Sequence, residues 1–211
     1  MRLSKAASQV LPRPVASTTS PARCPAARVA VSAASAAMYV IETQPAPALV
    51  AAQVDASVNM EGKEVRFGAP ASTVWSVVTT GASNGSVNSM HDSLAPLTGL
   101  VTLGNMLVNA IWGGIGCGLQ QFLVYLLLSV FLAGLMIGRT PEYLGKKLEA
   151  REVRLLVATL LVMPVGVLVL GALAASLPVA SASVSNPGAH GFSQILYNYT
   201  SGAANNGSAF G

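Results

Sequence analysis

Charge is what this sequence has least of. Only 9% of its 211 residues are Asp, Glu, Lys or Arg, against about 25% in an ordinary soluble domain. With 52% hydrophobic residues and a mean hydropathy of +0.57, the expected solvent is lipid. Two cysteines, Cys24 and Cys117, exclude a disulfide framework and a cysteine metal site, and fix no redox compartment. The net charge of +4 is local. Residues 1–37 hold Arg2, Lys5, Arg13, Arg23 and Arg28 and no acid. The remaining seven of the twelve bases face eight acids, so no basic surface is left for nucleic acid. Neither a G-x-x-x-x-G-K-[ST] phosphate loop nor a G-x-G-x-x-G turn occurs, so nucleotide hydrolysis and dinucleotide binding have no carrier here. His91 and Asp92 are adjacent, but no motif places a nucleophile beside them and no catalytic residue is expected. Their expected place is a pore mouth, with Asp92 or Ser93 capping the next helix; His190 reads as a loop histidine without a partner.

What is present is a sequence of apolar runs with breaks. Residues 1–37, rich in Ala, Ser, Pro, Val and Arg, read as a disordered or spurious extension, though an organelle transit peptide has the same composition. Residues 38–70 read as an exposed extracytoplasmic loop, with Pro45, Pro47, Pro70 and the charges Glu61, Lys63, Glu64 and Arg66. Residues 71–81 suit a helix of about three turns, too short to span. From Leu94 to Gly138 there is no charged residue. That run is roughly twice a bilayer's thickness as one helix, so it divides. Gly113, Gly114, Gly116 and Gly118 mark the joint between helices over 94–112 and 119–138. Residues 139–154 carry Arg139, Lys146, Lys147, Arg151 and Arg154, and so many bases in a short loop mark the cytoplasmic side. Residues 155–177 then span with Pro164 as a tolerated kink, and 191–199 form a second short helix.

The two short helices end alike. Asn-Gly-Ser stands at 84–86 and again at 206–208, each time after Thr or Ser and a small-residue run. A short helix followed by a Gly-bearing polar strand is the layout of a re-entrant pore loop. Irregular backbone at membrane depth must be buried or line a wet cavity, and there its carbonyls replace an ion's water. Gly permits the dihedrals that aim successive carbonyls inward, and the helix's negative end faces the cation. Asn-Gly-Ser is also a common turn sequence, so a surface loop remains open on the residues alone. Asn84, Asn198 and Asn206 match the glycosylation sequon, which a filter would make inaccessible.

The runs NMEGKEVRFG (59–68), TTGASNGSVNSMHDS (79–93), AGLMIGRTPEYLGKK (133–147), NPGAHGFSQILY (186–197) and ANNGSAF (204–210) together resemble the potassium-binding subunit family of the Kdp-type potassium pump, KdpA, over residues 38–211. The resemblance implies an all-α membrane protein of the potassium transporter superfamily, with transmembrane helices and re-entrant pore-helix/filter loops, here incomplete. Residues 71–138 would be the third pore loop and its broken following helix, 139–154 a cytoplasmic loop, and 155–211 the fourth-repeat helix and pore loop. It implies filter residues Ser83, Asn84, Gly85, Asn205, Asn206 and Gly207, and a gating break at Gly113, Gly114, Gly116 and Gly118. Asn109 stands where some relatives carry an acid. The implied ligand is a potassium ion, with no other metal. ATP would act only through a partner, the P-type ATPase catalytic subunit, alongside small accessory subunits and the lipid bilayer, in a multi-pass inner-membrane complex. The alternatives are a piece of a passive Trk/Ktr-type channel, or a nonfunctional truncated product, because a fourfold filter does not close from two quarters.

Overall fold

The computed structural model describes residues 25–45, 50–53, 58–109, 113–114 and 116–210, with the backbone alone at 25–28. The chain begins to be helical well before the expected boundary at residue 38. Helix α1 runs unbroken over Pro25–Glu42, about 27 Å. Ala and Val, with no Gly after Pro25, let it propagate. The extension expected over residues 1–37 is therefore corrected from residue 25 onward; residues 1–24 lie outside the described residues.

Helix α2 (Gly68–Gly81) covers the first short helix. It buries Ser72, Thr73, Ser76, Thr79 and Thr80 as well as Val77; buried hydroxyls need partners, and all of these but Ser72 find one among the described residues. Thr73 donates to the Pro70 carbonyl at 2.8 Å, Ser76 to Ser72 at 2.8 Å and Thr80 to Ser76 at 2.6 Å. Val31 and Met38 of α1 pack on Val77, with Ala34, Val78 and Val101 around them.

The uncharged run divides as expected. Helix α3 (Pro96–Val108) starts on a proline and stops at Asn109 in the left-handed region. Helix α4 is Cys117–Ile137, and residues 110–112 and 115 of the joint lie outside the described residues. A hairpin, β1 (Glu142–Tyr143) with β2 (Lys146–Lys147), turns through Leu144 and Gly145, both at positive φ, as a two-residue hairpin requires. Helix α5 (Ala150–Ser176) opens with a capping box between Glu149 and Glu152 and contains Pro164. A short α6 (Pro178–Ser183) leads to α7 (Ala189–Ala203).

Helices α4 and α5 have window hydropathies of 2.0 and 2.6, yet only 6% and 11% of those windows are buried. Helices apolar on all sides and left bare suit hydrocarbon, and the molecule is an all-α membrane protein. Helix α3 joins the two halves. Its far side contributes Met106 and Leu103 to a cluster with Tyr197, Ala204, Phe210 and Met163.

The segment before α2 is less exposed than its charges suggest. Glu42 and Lys63 are buried, 2.8 Å apart. Asn59 donates to Glu42 at 2.8 Å, and the Ala95 N–H donates to it at 2.7 Å. That last bond corrects the expected cap. Asp92 and Ser93 lie in a single 3-10 turn, His91–Ser93, and the carboxylate serving the start of α3 comes from the end of α1.

Candidate functional site: two abutting glycine turns

Helices α2 and α7 end in turns wired the same way, at a constant offset. The Asn84 N–H donates to the Thr79 carbonyl at 3.0 Å and the Asn206 N–H to the Ser201 carbonyl at 2.9 Å. Ser86 N–H donates to Asn84 Oδ1 at 3.0 Å, and Ser208 N–H to Asn206 Oδ1 at 3.0 Å. Thr79 Oγ1 reaches the Ser86 carbonyl at 2.6 Å, as Ser201 Oγ reaches that of Ser208 at 2.7 Å. Ser83 and Asn205 occupy the left-handed region at φ 49° and 57°. Side-chain oxygens thus close each turn locally, and that is why small polar residues follow the helices.

The two turns also touch. A Cβ placed on Gly85 would stand 2.8 Å from the Asn206 carbonyl oxygen and 3.0 Å from the Gly207 carbonyl carbon. Gly207, at φ 88°, has the Gly85 Cα as its neighbour. Asn206 Nδ2 crosses between the halves, donating to the Thr79 carbonyl at 3.0 Å and the Asn84 carbonyl at 3.3 Å. Ser83, Asn84, Gly85, Asn205, Asn206 and Gly207 are therefore brought together from 122 residues apart.

The joint after α3 lies against these turns. Gly113 N–H donates to the Gly81 carbonyl at 2.9 Å, and a Cβ on Gly114 would approach Ser83 Cβ to 3.5 Å. Asn109 bridges the halves: Ser83 Oγ donates to its Oδ1 at 2.5 Å, and its Nδ2 donates to the Ala204 carbonyl at 3.4 Å. An acid there would keep the first bond and lose the second. Gly116 precedes α4 at positive φ, and Gly118 is buried in its first turn, with its N–H donating to the Gly114 carbonyl at 3.2 Å.

Carbonyl oxygens are the chemistry on offer. Among the described residues no donor reaches the carbonyls of Ser83, Gly85, Asn205, Asn206 or Gly207, while that of Asn84 accepts from Asn206 and Thr79. No group of three His, Cys, Asp or Glu able to hold a metal occurs among the described residues.

Further side chains close the turns and tie the two halves together. Thr79 and Ser201 share the Asn-Gly-Ser spacing, so the spacing itself was a usable signal. His91 and Tyr197 gave none. His91 Nδ1 lies 2.7 Å from the Tyr197 hydroxyl, and burial lowers the His91 pKa to about 4. His190, expected to be partnerless, pairs with Asp92, whose other oxygen accepts from Asn186 at 3.3 Å. A carboxylate at the start of α7 is well placed against the helix dipole.

The family described as KdpA, Potassium-transporting ATPase A subunit, matches residues 22–211. A Potassium-transporting ATPase potassium-binding subunit from Pseudomonas entomophila (strain L48) is 69% identical over 80% of this chain and 30% of its own length. The subunit of the same name from Pseudomonas aeruginosa is 66% identical over the same shares, and that from Caulobacter sp. (strain K31) is 58% identical over 88% and 33%. The chain thus spans about a third of the length of these relatives. A match running through α1, both glycine turns and every helix between them means that this chain belongs to the KdpA family, the Potassium-transporting ATPase A subunit.

Proposed function

We propose that this chain forms part of a potassium path through a cell's inner membrane, within a multi-pass subunit of an ATP-driven uptake pump. The observation that carries the reading is the abutment of two Gly-bearing turns, closed by the same three hydrogen bonds, at the ends of two short helices. Such turns offer uncharged oxygens in place of a dehydrated cation's water. Potassium ligands would be the carbonyls of Ser83, Gly85, Asn205, Asn206 and Gly207. Asn84 would act by holding its turn, since Asn206 takes up its carbonyl. The joint at Gly113, Gly114, Gly116 and Gly118 would gate passage, its near end seated against Gly81 and Ser83. ATP hydrolysis would belong to a P-type catalytic partner, with small accessory subunits and the bilayer as the other partners. The relatives' printed name, a potassium-binding subunit of an ATPase, favours a pump over a passive channel.

Gly85→Ala and Gly207→Ala in the full-length subunit test this. Each adds a methyl where the two turns meet, and at Gly207 it also strains a positive φ. Both variants are expected to raise the half-saturating potassium concentration at least tenfold, about 1.4 kcal/mol of lost ion binding, and to weaken discrimination against sodium. Unchanged potassium-stimulated ATPase activity and selectivity in both would refute the reading.

A further inference from the structure

We propose that His91 is a positioning residue for the second glycine turn, acting through a one-way chain of buried hydrogen bonds. The proposal rests on the potassium-path reading and adds a specificity-determining residue outside both turns.

The chain of contacts is short and closed to water. His91 Nδ1 lies 2.7 Å from Tyr197 Oη. Tyr197 Oη lies 3.0 Å from Ser208 Oγ. Ser208 Oγ donates to Asn206 Oδ1 at 2.5 Å, and Asn206 Nδ2 donates to the Thr79 and Asn84 carbonyls. His91, Tyr197, Asn206 and Ser208 are all buried, so solvent does not replace a lost link. Tyr197 is fixed by stacking on Phe210 at 4.4 Å between ring centroids.

Proton counting gives the chain a direction. Asn206 Oδ1 must be the acceptor, because it also receives the Ser208 N–H at 3.0 Å and its Nδ2 faces two carbonyls. Ser208 has one proton and spends it on Asn206. Tyr197 must then donate to Ser208, since otherwise two oxygens would face each other without a proton; Thr102, the other hydroxyl beside Tyr197, gives its proton to the Gly99 carbonyl at 2.8 Å. His91 Nδ1 is therefore the donor to Tyr197. Its Nε2 is left as the lone-pair nitrogen, and that buried atom has no partner among the described residues. A donor at His91 thus fixes the hydroxyl of Tyr197, the rotamer of Ser208 and the amide of Asn206, the side chain that spans the two glycine turns.

The intact complex carrying the full-length subunit is assayed for half-saturating potassium, maximal rate and rubidium-to-potassium preference. His91→Leu and Tyr197→Phe should each raise half-saturating potassium roughly fivefold, the factor one neutral hydrogen bond supplies, with the maximal rate kept. The double variant should be no worse than either single one. His91→Asn restores a donor at the Nδ1 position and should recover wild-type values, whereas His91→Asp, an acceptor, should not. This pair decides the matter even where His91→Leu fails to assemble. Equal behaviour of Asn and Asp, additive losses, or a fall in rate alone would overturn the proposal. If Gly207→Ala shifts potassium dependence and the His91 series does not, the relay fails and the path stands. If neither shifts it, both fail.

Discussion

Two side chains show how single residues fix this structure. Glu42 ends α1 with its carboxylate buried against Lys63, Asn59 and the N–H of Ala95, just before α3. A charge out of water is tolerated only when all its lone pairs are used. Glu42→Gln turns an amide donor toward Lys63 and Asn59, and should cost about 3–5 kcal/mol, read as a lower melting temperature in detergent. Glu42→Gln combined with Lys63→Met should regain most of that, because no buried cation then remains unpaired. His91 carries a pH signature. Its folded pKa, about 4, lies below the ordinary value of about 6.5, so the unfolded chain takes up the proton first. The stability contributed by the neutral ring is complete above about pH 6.5 and lost as pH falls toward 4. The melting temperature should decline over that interval, and the part due to His91 should vanish in His91→Asn. Neither residue was legible in the sequence. A lone Glu after an apolar run, and a His 106 positions from its Tyr, give no local pattern.

At the scale of elements the sequence was more informative. The absence of charge over 94–138, with four glycines near its middle, placed α3 and α4 to within a few residues, because lipid removes every other reason for a long apolar run to stop. Of the prolines and charges that marked 38–70 as exposed, Pro45, Glu61, Glu64, Arg66 and Pro70 are at the surface and Lys63 is buried. Lys63 is buried through its ion pair with Glu42 at the end of α1, a helix whose Ala- and Ser-rich start reads in sequence alike as disorder or as a small-residue helix. The joint itself is set by steric fit. Gly113, at φ 57°, would place a Cβ 2.1 Å from Gly118 Cα, so no side chain fits there. Gly113→Ala should cost several kcal/mol, about 3 or more, and expose the joint to limited proteolysis. Gly116→Ala meets no neighbouring atom, but φ 84° with ψ −41° lies outside the left-handed helical well, and it should cost about 2 kcal/mol. The two melting temperatures measured side by side check the difference.

For the whole molecule, two glycine turns meet on one side while their outward edges stay exposed: Asn84, Gly85, Ser86, Asn205 and Gly207 all face out. A dehydrated cation held by this span alone would be coordinated from one flank only. Reconstituted by itself in liposomes, the span should therefore give no potassium-selective flux above protein-free vesicles, whereas the full-length subunit in its complex should. A selective flux from the span alone would contradict the one-sided coordination. The pairing of the turns was half legible: the repeated Asn-Gly-Ser marked both, but only the Asn206 amide and the close approach at Gly85 show that they adjoin.

The amide of Asn206 passes from the second turn to the first, and nothing equivalent returns. A contact made between unlike faces of two like units is head-to-tail, and units joined that way continue in one rotational sense until they close on themselves. Asn84 is the counterpart of Asn206, and its own amide stands exposed at the open end. A further unit joined by the same rule would accept the Asn84 amide on its own turn carbonyls, in the rotational sense that these two turns set.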